Sequence, residues 1–171
     1  KEIAMTFNPH HYPHALFSEI LPNLFQGGTD DNDVIQVAHD NYKRRNDMPF
    51  DTIITMYAWA RPADWDVQEH RYGIPDNLIS DIDLNRLRKA VDFAHQQWKS
   101  GDRVLVRCQA GLNRSGLVMA LVLIKDGYSP DEAIDLIRRF RGEEALCNRH
   151  FEQWLLTSAA DFINPPSSLS A

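Results

Sequence analysis

From Asp81 to Ser100, apolar residues recur every three or four positions, at Leu84, Leu87, Val91, Ala94 and Trp98. That spacing predicts one face of an amphipathic helix, and Gly101 supplies its stop. The pattern then changes. "RVLVR", residues 103–107, is a short apolar, β-branched run that predicts a buried strand. A helix follows from about Arg114 to Asp126, apolar from Leu117 to Ile124, with Gly127 as its stop. Ser129-Pro130-Asp131-Glu132 reads as a capping box with proline at the first helical position. The helix it opens is expected to turn Ala133, Ile134, Ile137 and Phe140 inward and to end at Gly142. Asn148 is placed to cap a last helix bearing Phe151, Trp154, Leu155 and Phe162.

The first part of the chain is richer in strand patterns. "SEIL" and "LFQG" predict two short strands around a turn at Pro22-Asn23. "DNDVIQVAHDNYKRR" predicts a short helix, its acids at the start and its bases at the end, as the helix dipole prefers. "DTIITMY" is a β-branched strand, and "EHRYGI" a further short one stopped by Pro75. Strands, then strand–helix alternation, then helices predict an α/β fold with a central mixed, mostly parallel sheet flanked by helices. The expected organisation is an N-terminal extension over 1–16, a single catalytic domain over 17–163 and a flexible tail over 164–171.

Composition narrows the partners. The 171 residues carry 18 bases and 24 acids, a net charge of −6, so the surface as a whole does not attract nucleic acid or an anionic membrane. Leu117 to Ile124, the longest apolar run, is too short to cross a bilayer, and no secretion signal opens the chain. Cys108 and Cys147 are too few for a disulfide scaffold, which suggests a reducing, cytoplasmic setting. His10, His11 and His14 are interspersed with prolines that prevent a regular helix from aligning them as ligands. Neither a metal nor another cofactor is expected. The run Tyr42 to Arg45 reads as a solvated helix end.

One window departs from the acidic balance. Residues 103–125 hold Arg103, Arg107, Arg114 and Lys125 and no acid, which a bound anion would explain. A strand entering a helix through a short glycine-containing loop turns backbone N–H groups toward one centre, and the helix N-terminus adds partial positive charge. Gly111 permits the tight curl. Arg114, at the helix start, offers a planar fork for two phosphate oxygens. Cys108 opens the loop, where amide donors, dipole and arginines all favour its thiolate, a nucleophile toward phosphorus. A buried cysteine can equally be a small hydrophobe. The conjunction of Cys-x5-Arg-Ser, internal glycine and acid-free window favours chemistry.

"CQAGLNRS" resembles the Cys-x5-Arg-Ser/Thr signature of the cysteine-dependent protein tyrosine phosphatase superfamily. "SEILPNLFQGG" resembles the opening segment of its dual-specificity branch, and "IRRFRGEEALCNRHFEQWL" its closing helices. The resemblance runs over roughly residues 17–156. It implies Cys108 as nucleophile, a phosphate cradle of Gln109, Ala110, Gly111, Leu112, Asn113 and Arg114, and Ser115 stabilising the departing thiolate when the phosphocysteine breaks down. It also implies an upstream aspartate as general acid. "YGIPDN" offers Asp76 for that role, with Asp81 and Asp83 as competitors that would otherwise sit at a helix start.

Two features depart from the pattern. Arg107 stands where this family usually has histidine, and it is expected either to charge the loop or to tie the strand end to a nearby acid. "GLNR" resembles the RNA 5′-triphosphatase branch of the superfamily. The implied activity is a metal-independent phosphatase for phosphotyrosine, extending to phosphoserine and phosphothreonine, with a phosphorylated protein or peptide as partner. The alternatives are an RNA 5′-triphosphatase, with an RNA 5′ end as partner, and a catalytically weak phosphate-binding domain. Trp59, Arg61, Trp65 and Arg71 could line the pocket mouth or anchor a loop. Cys108 is expected to oxidise reversibly, and Cys147 to be a packing residue.

Overall fold

The computed structural model describes residues 15–29 and 50–167. The helix expected in "DNDVIQVAHDNYKRR", the three early histidines and the end of the tail lie outside these residues.

Strand β1 (Phe17–Leu21) pairs antiparallel with β2 (Leu24–Gly27) across the Pro22-Asn23 turn. Asn23 takes a φ of 65°, a left-handed conformation that asparagine tolerates better than most residues. Three more strands follow: β3 (Thr52–Thr55), β4 (Gln68–Arg71) and β5 (Val104–Arg107). The sheet order is β1-β2-β5-β3-β4, and every pairing except β1 with β2 is parallel. The expected mixed, mostly parallel sheet is therefore present. Its register puts Gly27, Arg107, Thr55 and Arg71 on one line, so four strands end at the same level. In an open α/β sheet, that carboxyl edge is where ligands bind.

Among the described residues, four helices cover one face: α1 (Leu84–Lys99), α2 (Arg114–Lys125), α3 (Pro130–Arg141) and α4 (Arg149–Ile163). The starts of α1, α3 and α4 are capped by side chains, which satisfy N–H groups that a helix leaves unbonded, whereas the start of α2 has no side-chain cap. Asp83 Oδ1 accepts from Asn85 N at 2.9 Å. Ser129 and Glu132 close the capping box, at 3.2 and 2.8 Å. Asn148 Oδ1 accepts from His150 N at 3.0 Å and Phe151 N at 3.3 Å. Helix α2 is buried on every side from Ser115 to Ile124, packed between the sheet and the other three helices. An all-round apolar sequence makes such a helix the centre of the core.

Two expected core residues lie elsewhere. Phe140 is 47% exposed. The inward stripe of α3 runs through Ile134, Ile137 and Arg141, and Phe140 falls beside it, with the Arg139 guanidinium 5.4 Å from its ring centre. Leu84, in the first turn of α1, is also exposed. Trp98 is half-buried and donates its indole N–H to Pro22 O at 2.9 Å, fastening the end of α1 to the β1–β2 turn.

The opposite face carries a smaller cluster, Phe25, Ile53 and Leu105, with Phe17 and Phe50 packed on it. Phe50 meets Phe17 and Phe25 edge-on, at 5.1 and 5.2 Å between ring centres.

Candidate active site

The loop 108–113 leaves the end of β5 and enters α2 at Arg114. The carbonyls of residues 109–112 point outward. Gln109 O accepts from Thr29 N at 3.0 Å, and Leu112 O from Leu146 N at 3.2 Å. Arg141 donates Nε to Gly111 O at 2.9 Å and an Nη to Ala110 O at 3.3 Å, and Gln26 adds a second bond to Gly111 O at 3.1 Å. In a trans peptide, C=O and the next N–H point in opposite directions, and no peptide among the described residues is cis. Outward carbonyls therefore turn the amides of Ala110, Gly111, Leu112 and Asn113 to the inside. The result is a nest of N–H donors at a helix start, shaped for an oxyanion.

Gly111 makes the curl possible. Its φ is +72°, and a Cβ there would collide with the backbone of Gly27 and Gly28 and with the Arg141 guanidinium. Arg141 supports the loop from behind at 2% exposure. It also donates to Ala15 O at 2.9 Å, Ser18 Oγ at 3.1 Å and Leu16 O at 3.2 Å. Burial pushes its guanidinium down to about 10, against the opposing charge of the nearby Cys108. At neutral pH it stays charged.

Cys108 lies at the base of the nest, 2% exposed, with its Sγ 3.2 Å from Ser115 Oγ. The Arg114 guanidinium lies 5.0 Å from the centre of the Tyr57 ring and donates to Gln109 Oε1 at 3.3 Å. Its Nε is buried and bonds to no protein atom among the described residues. Such a donor is costly unless something accepts from it, and a phosphoryl oxygen is the natural acceptor.

Asp76 stands at the rim. Its Oδ2 accepts from Asn113 Nδ2 at 3.0 Å and its Oδ1 from Asn148 Nδ2 at 2.8 Å. The competing acids are engaged otherwise: Asp83 caps α1, and Asp81 accepts from Asn77 at 3.3 Å. Cys147, expected to pack, is instead exposed, with its Sγ 3.4 Å from Asn113 Nδ2. The turn it occupies faces the loop rim rather than the core.

Arg107 ties the strand end to an acid. It donates to Thr55 Oγ1 at 2.9 Å, to Glu69 Oε2 at 3.1 Å and to Arg61 O at 2.7 Å. Burial raises the Glu69 carboxyl, but the Thr55 and Arg107 hydrogen bonds, the Ala63 N–H and the Arg71 charge together hold it below its usual 4.5. Arg71 grips Ala60 O at 2.8 Å and Ala58 O at 3.2 Å. These two arginines fasten the loop that presents Trp59 and Trp65, 83% and 98% exposed. The Trp59 ring lies 6.3 Å from that of Tyr57. Arg71 and Arg107 are thus loop anchors.

Sequence reasoning saw Asn148 only as a cap and missed the roles of Arg141, Glu69 and Tyr57. Arg141 did leave a signal: it falls on the Ile134–Ile137 stripe, a charge on a buried face. Among the described residues, no group of three or more His, Cys, Asp or Glu could hold a metal ion, and no helix is long and apolar enough to cross a membrane.

A thiol beneath an amide nest at the carboxyl edge of a parallel sheet defines the class: this is a cysteine-dependent protein phosphatase, a phosphoric monoester hydrolase. The family model for the catalytic domain of dual specificity phosphatases matches residues 45–160, and the chain belongs to that family. Among its relatives is 123R of Invertebrate iridescent virus 6, named as a tyrosine phosphatase, 28% identical over 132 residues that make up 72% of this chain and 79% of the viral protein. Phosphatidylglycerophosphatase and protein-tyrosine phosphatase 1 of Homo sapiens is 35% identical over 78 residues, 42% of this chain and only 39% of that protein. Human DUSP28 shares the fold at a TM-score of 0.67 and 20% identity, over 82% of this chain and 90% of that one.

Proposed function

We propose that this protein hydrolyses phosphotyrosine in proteins, and phosphoserine and phosphothreonine less readily, through a phosphocysteine intermediate on Cys108. The outward turn of the loop carbonyls carries the reading, because it gathers the amides over the sulfur. The Cys108 thiolate attacks phosphorus as the bond from phosphorus to the leaving oxygen breaks. Asp76 gives that oxygen its proton. The amides of the loop and the fork of Arg114 hold the oxygens that gain charge. Water then attacks phosphorus, Asp76 takes its proton, and the P–S bond breaks with the Ser115 hydroxyl donating to the departing sulfur.

Two features support an aryl substrate. The sulfur is recessed, so a long side chain reaches it best. Trp59 is exposed and lies 6.3 Å from the buried Tyr57 ring on which the Arg114 guanidinium rests, so it offers a ring face on that side. "GLNR" has a use within this chemistry: Asn113 touches the upstream acid, which RNA 5′-triphosphatases generally do not need. Residues 17–163 act as one catalytic unit, with 1–16 and 164–171 as extensions. A reducing, cytoplasmic setting suits an enzyme that needs a free thiol.

Cys108→Ser should abolish turnover of phosphotyrosyl peptides while retaining affinity for tungstate as a phosphate mimic. Ordinary turnover in that variant would refute the nucleophile. Wild-type protein without added metal should prefer phosphotyrosyl peptides to phosphoseryl peptides and to triphosphate-ended RNA. A preference for the RNA would overturn the substrate class.

A further inference from the structure

The side chain of Asn113 lies on the rim of the phosphate loop, and its two ends do different things. Its Oδ1 accepts the backbone N–H of Asn148 at 2.9 Å, so its amide nitrogen faces Asp76. Asn148 is oriented by the same logic. Its Oδ1 accepts the N–H groups of His150 and Phe151, which turns its own nitrogen to Asp76 and to Asn77 O, at 2.8 and 3.1 Å. Neither amide can flip without setting its oxygen against an oxygen and losing a backbone donor. Both carboxylate oxygens of Asp76 are therefore held, one from the loop and one from the start of α4. Asp76 itself sits on an exposed stretch after buried Ile74, with Pro75 between them.

We propose that Asn113 and Asn148 are positioning residues that hold Asp76 over the phosphate loop, so that proton transfer to the leaving group depends on both amides. The proposal rests on Asp76 being the general acid. It makes the acid loop and the phosphate loop one assembly: Asn113 adjoins Arg114, and any shift in the cradle is passed to the carboxylate. Misplacement of such a group by about 1 Å can cost roughly 100-fold.

The test separates chemistry from architecture. Asn148→Asp keeps an acceptor for the α4 cap but replaces the donor to Asp76 with a like charge. Asn113→Ala removes the other donor together with the acceptor that holds the Asn148 N–H. Each variant is assayed on p-nitrophenyl phosphate, whose leaving group needs little protonation, and on an alkyl phosphate, whose leaving group needs much. For Asn148→Asp the expected result is a loss in kcat of about 10- to 100-fold on the alkyl phosphate and under about threefold on the activated ester, with tungstate affinity kept. Asn113→Ala, within the phosphate loop itself, should lose more on the alkyl phosphate than on the activated ester. In an Asp76→Ala background, Asn148→Asp should cost nothing further. An equal loss on both substrates, or the same loss without Asp76, would mean a merely structural role and overturn the proposal. So would unchanged or faster alkyl phosphate turnover, the mark of a carboxylate parked rather than aimed. If Asp76→Ala alone leaves alkyl phosphate turnover intact, the assignment of the acid has failed. If it slows turnover and the asparagine variants do not, only the positioning role has failed. Should Asn148→Asp unfold, Asn148→Ser, which keeps a cap acceptor and loses the amide donor, decides alone.

Discussion

Arg141 commits its guanidinium to five acceptors, four of them main-chain carbonyls, of which Ala110 and Ala15 have it as their donor while Gly111 O is shared with Gln26 and Leu16 O with the Gly28 N–H. Replacing it with leucine strands the Ala110 and Ala15 carbonyls, at about 1–3 kcal/mol for each buried group left unpaired, and leaves Gly111 O to Gln26 and Leu16 O to Gly28. Arg141→Leu should therefore lose at least about 2 kcal/mol in urea unfolding and bind tungstate poorly. Arg141→Lys should not restore it, since one ammonium cannot span those positions. Residues like this were hard to read in the sequence for a physical reason. Cys108, Gly111 and Arg114 act through neighbours along the chain, so spacing exposes them. Arg141, Asn148 and Glu69 act on partners far away in sequence, and only the packed fold says which. Arg107 lay between these cases: a tie to an acid was foreseeable, its identity as Glu69 was not. Cys147 was misjudged because its neighbours in sequence, Leu146 and Ala145, are buried while its own side chain turns to the rim.

At the scale of elements, the helices were legible where caps and stripes agreed. Ser129 and Asn148 cap as their sequence positions suggest, while the cap of α1 falls on Asp83 rather than Asp81. The stripe of α3 misled at Phe140, because a 3.6-residue turn leaves every third or fourth position drifting off the face. The central element is α2, and its burial sets its sensitivity. Leu121→Ala, in its fully buried middle, should cost about 2–5 kcal/mol, measured as a shift in urea midpoint at constant slope. Ser129→Ala, at an exposed cap, should cost only about 1 kcal/mol. The phosphate loop answers to backbone geometry rather than burial. Gly111→Ala must abandon its positive φ and back away from β2, so turnover and tungstate binding should fall together by at least about tenfold. Retained binding would show that the loop adapts.

For the whole molecule, the pH dependence of stability follows from groups whose folded pKa lies below the unfolded one. Burial, helped by the Arg86 charge, pulls His70 below 6.5. Burial raises Asp126, but hydrogen bonds and charge from His95 and Lys99 outweigh it and leave the carboxyl below 3.8. Glu69 lies below 4.5 for the reasons already given. In each case the unfolded chain takes up its proton first as pH falls. Stability is therefore full above pH 6.5, declines as His70 protonates below that value, and falls again below 4.5 as Glu69 and then Asp126 are neutralised. Urea midpoints recorded from pH 7 to pH 3 should show the two stages. Glu69→Gln should flatten the acidic one, and an unchanged acidic slope would count against the Arg107–Glu69 tie.

Trp59 stands one ring away from Tyr57, which in turn lies against Arg114. Of the four tryptophans, Trp59 and Trp65 are solvent-facing while Trp98 and Trp154 are half-covered. The protein thus carries its own optical reporter. Filling the cleft should change the emission of Trp59 and leave the covered pair dark to the event, so that occupancy can be followed by light alone, without any product being made.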